Sequence, residues 1–418
     1  MQQPIDSPVS NSPAQEASAP PKRILSVDAL RGFDMLWIVG ASGLVTALDK
    51  LAGEKESGLF HFLTQQLTHK AWEGFAFYDL IFPLFVFLVG VSIVFSLDRQ
   101  ISSDGLRAAY ARILKRFVLI YIVALFYSGG FSREWPDIRL MGVLNRIALC
   151  YLFTAIAYCH LKARGLAVLC GVLLLGYWGL MAGVSFPDLR PRDASGQLVS
   201  EQLQVKEVSE LNWASTHRLR GVYDPGVNLA HYVDQRWLPG KKWEGTWDPE
   251  GFLSTLPAIG TCLLGALAGL LLKCPSRNDQ QKAVWLMGVG AAGVVLGFLW
   301  GTQFPVIKKI WTSSYVLVAG GYSAILLGLF HQVIEVWRIQ FWIQPFLWVG
   351  SNAITIYLAN NVLGFRQVAQ RIAGGDVRNF LERAIAPGAG DLLVALAAVG
   401  IGLLLCRFLY KRKIFLRL

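Results

Sequence analysis

The stretch that most constrains this chain is Leu80 to Leu97, eighteen consecutive residues without a charge. A run of that length and character crosses the hydrocarbon core of a bilayer as a helix. Similar apolar runs recur near 29–48, 79–97, 113–128, 141–160, 166–185, 252–272, 283–301, 312–334, 344–363 and 391–410. Charged residues make up only 16% of the chain and gather between these runs, against about 25% in ordinary soluble domains. Nothing alternates with the period of two that barrel strands require. The chain therefore reads as all-α, a polytopic transmembrane helical bundle of about ten spans held in the lipid bilayer. A net charge of +11 would suggest nucleic acid in a soluble protein. Here the positive-inside bias accounts for it, and no nucleic-acid partner is expected. The six cysteines lie in or beside apolar runs without a Cys-x-x-Cys pair, and they read as small apolar fillers.

Residues 1–22 are rich in Ser, Pro, Gln and Ala and have no apolar run. They read as a disordered cytoplasmic tail and not as a cleavable signal, leaving 23–418 as the transmembrane domain. Eighteen Lys and Arg fall on one side of the ten runs and eleven in the short loops of the other. That asymmetry places both termini in the cytoplasm and 186–250 as an extracytoplasmic loop, in a multi-pass protein of the cell (inner) membrane.

Ionisable residues at or inside the runs are the site candidates, because membrane depth makes them expensive. His69, Trp72, Glu73 and Asp79 lie around the start of the second run, away from the cytoplasm; an ordinary interfacial loop would explain the aromatic residues equally well. In the first run Asp28, Arg31 and Asp34 recur three apart, so Arg31 can meet either carboxylate on one helix flank. Snorkelling at a helix end is the alternative. Arg146 lies well inside the fourth run and must have a partner there. In the turn WDPEG, Asp248 and Glu250 precede an apolar helix, a good helix start that can also line a site. Asn352 is either helix–helix glue or a lining residue. The aromatic residues Trp213, Tyr223, Trp237, Trp243 and Trp247 of the long loop suit sugar stacking or interface anchoring. No metal cluster is visible.

Together, the segments SVDALRGF (26–33), HKAWEGFAFYDLIFPLFVFLVG (69–90), RLMGVLNRIALCYL (139–152), WDPEGFLSTLPAI (247–259), KKIWTSSYV (308–316), GSNAITIY (350–357) and YKRKIF (410–415) resemble, in order, the transmembrane heparan-alpha-glucosaminide N-acetyltransferase family and its bacterial relatives. The resemblance implies acetyl transfer from cytoplasmic acetyl-CoA to an amino sugar or glycan on the other side. His69 falls on the family's active histidine, as general base or acyl carrier, with Asp79 able to orient it. Arg31, Arg146 and Asp34 would serve the donor, and Trp72, Glu73, Asp248, Glu250 and Asn352 the acceptor. A homodimer is compatible with this reading. Family members often carry an asparagine late in the first span, where the ungapped match here is Ser42. A sugar or small-molecule transporter, or an O-acyltransferase acting on a hydroxyl, would present a similar pattern. The expected cavity lies between the first, second, fourth and ninth spans, with Arg31, Asp34, Arg146 and Asn352 among its polar lining.

Overall fold

The structure, a computed structural model, describes residues 24–53, 58–193 and 195–415; the tail expected at 1–22 lies outside them, as does the side chain of Ser42. Helix α1 (Leu25–Ala52) bends by 62° at residues 41–43, α2 (Leu59–Leu67) is short, and α3 (Phe77–Tyr127) is 51 residues long. After α4 (Val143–His160) and α5 (Ala163–Gly183) comes the long loop. It carries one short antiparallel pair, β1 (Phe186–Pro187) with β2 (Arg218–Leu219), and helix α6 (Leu229–Trp237). Next come α7 (Thr255–Lys273), α8 (Asp279–Gly301) and α9 (Ser313–His331). The chain then continues through α10 (Gln344–Gly350), α11 (Ala353–Leu363), α12 (Phe365–Ala373), α13 (Asp376–Ala384) and α14 (Ala389–Lys411).

Among the described residues seven helices (α3, α4, α5, α7, α8, α9 and α14) are long and apolar enough to cross a membrane, and the bent α1 makes an eighth. This is a helical polytopic membrane protein. The two remaining apolar runs take forms that a hydropathy reading does not show. The run 113–128 is the second arm of α3, because Gly105 breaks the helix with φ 79° and ψ 174°, a conformation open to a residue without Cβ. Before the break Asp98 meets Tyr158 and Lys273, near the C-terminal ends of α4 and α7. Beyond it Tyr110 meets His160 at the end of α4, whereas Tyr121 donates to the Leu140 carbonyl ahead of α4. The helix is thus a hairpin whose second arm returns toward the end where it began. The run 344–363 is split into α10 and α11 at Ser351–Asn352, each half too short to cross alone.

Packing in the bundle follows small residues. A Cβ on Gly90 would lie 1.9 Å from the Cys262 carbonyl oxygen, and one on Gly265 would lie 1.9 Å from that of Phe87, so α3 and α7 cross backbone to backbone. Pro83 inside α3 has no N–H to offer the Asp79 carbonyl four residues back. The buried Tyr315 hydroxyl of α9 donates to that carbonyl at 2.7 Å instead. In lipid a freed carbonyl must find such a partner, and this one docks α9 beside the start of α3, next to the site.

Candidate active site

Asp79 stands in the first turn of α3, where a carboxylate complements the unpaired N–H groups of a helix start. Its Oδ2 accepts from the Ala76 N–H at 3.1 Å and the Lys70 N–H at 3.3 Å, and its Oδ1 lies 2.8 Å from His69 Nδ1. The carboxylate is buried, while the imidazole is half-exposed and stacks on Tyr78 at 4.5 Å.

Lys308 reaches the same point from the loop before α9. Gly74 donates to the Val306 carbonyl at 2.9 Å and Glu73 bridges to Ile307, so the segment following His69 lies alongside the one preceding Lys308. On the other flank Trp311 donates its N–H to the Lys308 carbonyl and adopts φ 50°. That is a strained region for a bulky residue. Burial holds it there: the indole donates to Thr261 Oγ1 at 3.1 Å, and the Arg146 guanidinium lies 5.0 Å over its ring. Lys308 Nζ therefore sits 2.9 Å from His69 Nδ1, 3.3 Å from Nε2 and 3.5 Å from Asp79 Oδ1. Nδ1 cannot donate to Asp79 and accept from Lys308 at once. A buried carboxylate has the stronger claim on the imidazole proton, so Nδ1–H donates to Asp79 and Nε2 keeps its lone pair. The ammonium then balances Asp79 through space. Burial pulls Lys308 below the usual lysine range, against the raising effect of Asp79 and Glu250.

His69 and Lys308 line a cavity of about 200 Å³. Its walls are Met35 and Ile38 of α1, Ile81 and Phe85 of the first arm of α3, Ile147 of α4, and Ile354 and Tyr357 of α11. These are the first, second, fourth and ninth of the apolar runs. Glu250 enters the wall from the turn ahead of α7. Arg139 grips it at 2.6 Å and forks onto Asp248 at 2.7 and 2.6 Å, the planar geometry that suits a guanidinium. Burial raises Glu250 above the usual carboxylate range, with Arg146 and Arg139 pulling against it. Asp248 is thus a support beneath Glu250, outside the wall.

Other expected lining residues stand elsewhere. Arg146 is buried, and its guanidinium donates to the Gly251 carbonyl at 3.3 Å and to Ser254 Oγ, fixing the start of α7. Arg31 bonds Ser92 of α3 and Asp28. Asp34 is buried without a hydrogen-bond partner among the described residues. Asn352 sits at the break between α10 and α11, donating to the Trp348 carbonyl at 3.3 Å. None of the four lines the cavity. For Arg31, Arg146 and Asn352 the physical reason is shared: each bonds a helix or turn within the bundle, which is another way to meet the cost of membrane depth. Trp72 turns into the long loop, donating to the Tyr223 carbonyl at 3.1 Å and meeting the edges of His231 and Trp247. Glu73 is exposed and contributes its backbone.

Beneath this surface Asp234 accepts from the Phe252 N–H at 2.9 Å and the Asp248 N–H at 3.4 Å, and burial pushes its carboxyl up to about 7. Raised above its unfolded value, the group binds more protons in the folded state, so its contribution to stability is complete in acid and is lost as pH rises through about 7. Wild-type protein is expected to lose thermal stability between pH 5 and pH 8 through this group, by on the order of 3 kcal/mol. Asp234→Asn should flatten that slope. Melting curves of both proteins at four pH values check it, and parallel slopes would exclude Asp234 as the cause.

Fold and site together define a multi-pass helical membrane protein with a histidine, an aspartate and a lysine converging at a cavity between its helices. Residues 23–180 match a domain of unknown function (DUF5009). The chain is similar to heparan-alpha-glucosaminide N-acetyltransferase of Mus musculus, at 23% identity over 405 residues covering 83% of this chain and 56% of the relative. It is likewise similar to that of Homo sapiens, at 26% over 400 residues covering 82% and 54%. The chain is a distant homologue of these acetyltransferases and spans about half the length of the curated relatives it matches.

Proposed function

We propose that the protein is a membrane-embedded acyltransferase that moves an acetyl group from cytoplasmic acetyl-CoA to the amine of an amino sugar or glycan presented at the His69 end of the bundle. The observation that carries this reading is the half-exposed imidazole bonded to a buried carboxylate at the mouth of an apolar cavity. The sequence likeness to named acetyltransferases supports it. The cavity is smaller than the roughly 300–1,000 Å³ of a site for a whole drug-sized ligand, so it suits the thioester end of the donor and not its nucleotide.

In the reaction the amine nitrogen attacks the thioester carbonyl, His69 Nε2 takes the amine proton, and as the C–S bond breaks the imidazolium returns that proton to the departing sulfur, releasing CoA as its thiol. Asp79 holds the ring in the tautomer this needs. Lys308 faces the oxygen on which negative charge develops, and Glu250, held by Arg139, faces the attacking amine, whose nitrogen gains positive charge as its bond to the carbonyl carbon forms. In the variant with an acyl-histidine intermediate, Nε2 attacks first and the amine second. The charge asymmetry of the loops supports cytoplasmic termini and an inner-membrane setting.

The test is purified protein in vesicles with acetyl-CoA and a panel of amino sugars, with hydroxyl-only sugars as controls. The expected result is N-acetyl sugar and free CoA in equal amounts. Release of CoA with O-acetyl product alone would favour a hydroxyl acceptor. Sugar uptake without acetylation would overturn the enzyme reading.

A further inference from the structure

A second cavity, of about 300 Å³, lies between α1, α11, α12 and α14, and it differs in character from the first. Its polar wall is Tyr127, Asn360, Asn361, Arg366 and Gln367, over a floor of small residues that includes Gly43. None of these takes part in the reaction proposed above. Among the described residues Arg366 has no acidic partner, and two acids of the helices that follow it, Glu382 of α13 and Asp391 of α14, are already engaged. Asp391 is bonded by both Lys50 and Arg378, and Glu382 takes the N–H groups of Gly388 and Asp391.

Arg366 is also exposed among apolar side chains that face outward from the bundle. Val362, Leu363 and Ile372 are 63%, 57% and 69% exposed. In a membrane protein such residues face acyl chains, and a guanidinium among them is stable only with a carbonyl, water or lipid phosphate as partner. The amides of Asn360, Asn361 and Gln367 add donors and acceptors for phosphate and glycerol oxygens. We propose that this cavity is a binding site for the headgroup of a membrane phospholipid, with the phosphate on Arg366 and the acyl chains along Val362, Leu363 and Ile372. Tyr127 of this cavity stacks at 4.6 Å on Tyr357 of the first. A bound headgroup would therefore press on the wall of the His69 cavity without entering it.

The test uses full-length protein in detergent and three probes at equal concentration: dihexanoyl phosphatidylglycerol, dihexanoylglycerol and glycerol 3-phosphate. The phospholipid is expected to raise the melting temperature of wild-type protein, and the other two to leave it unchanged. Arg366→Gln should weaken phospholipid binding about tenfold to hundredfold, the worth of one hydrogen bond to a charged group. Arg383→Gln, outside the cavity, should not. If Arg366→Gln fails to fold, Asn361→Ala carries the comparison. Equal stabilisation by dihexanoylglycerol or by glycerol 3-phosphate overturns the proposal, as does undiminished binding by the cavity variants.

Discussion

Replacing His69 with alanine is expected to leave a folded protein whose acyl transfer has fallen by about 10²–10⁴-fold, the usual contribution of a positioned general base. The fold should survive because the imidazole is half-exposed and contributes one ring contact, with Tyr78. Asp79 would remain compensated by Lys308 and by the N–H groups of Lys70 and Ala76. The loss should fall on kcat and leave the KM for acetyl-CoA nearly unchanged, since the ring acts on the acceptor's proton only as the amine attacks. Steady-state kinetics alongside the size-exclusion profile separate this outcome from misfolding. Added imidazole should restore part of the rate by occupying the space left behind. Full turnover by the alanine variant would remove the histidine from the chemistry and bring the transporter reading forward.

How much of this was legible in the sequence depends on which physical signal each feature leaves there. Membrane helices write themselves as uncharged runs, and the runs assigned to α4, α5, α7, α8, α9 and α14 are helices where they were expected. The two exceptions have local causes. Gly105 turns one long helix into a hairpin without interrupting its helical pattern in the sequence, and Ser351–Asn352 breaks an apolar run that hydropathy alone sees as whole. His69 and Asp79 were legible because their spacing places one just ahead of a helix and the other in its first turn. Intramembrane cost alone was a poorer guide. It selected Arg31, Asp34, Arg146 and Asn352, yet none of them lines the His69 cavity. Cost says that a polar group needs compensation, not that the compensation is a ligand.

Lys308 and Arg139 left the opposite kind of gap. Both read as loop charges at the rim of the bundle, and rim lysines and arginines are ordinary. What makes Lys308 part of the site is a pairing between residues more than 200 apart, the bridge of Glu73 to Ile307, together with a strained Trp311. The signal that could have found it is the composition of KKIW itself. A tryptophan two residues beyond the lysine pair and directly before the Thr-Ser-Ser helix start offers a buried anchor for a turn.

The second large effect is expected at that residue. Lys308→Met should lower kcat by about 10²–10³-fold, the range for removing one donor from a developing oxyanion, while substrate binding changes much less. Methionine keeps the length of the side chain and its burial, so packing is preserved and the change is one of charge. Asp79 then loses its ammonium partner and keeps its hydrogen bonds. Because Lys308 acts with its proton on, its contribution to the rate should be present below its folded pKa and lost as pH rises through it, which makes it the alkaline limb of the profile. Burial sets that pKa below the ordinary lysine value of about 10.4. Lys308→Arg, whose guanidinium does not titrate in this range, should have a reduced rate from its wider head. Its alkaline limb should nevertheless shift upward. A His69→Ala/Lys308→Met double variant should lose far less than the product of the two single losses, because both groups act on one transition state. If the two losses multiply instead, Lys308 works at a distance from the imidazole and its place near Nε2 has no part in the chemistry.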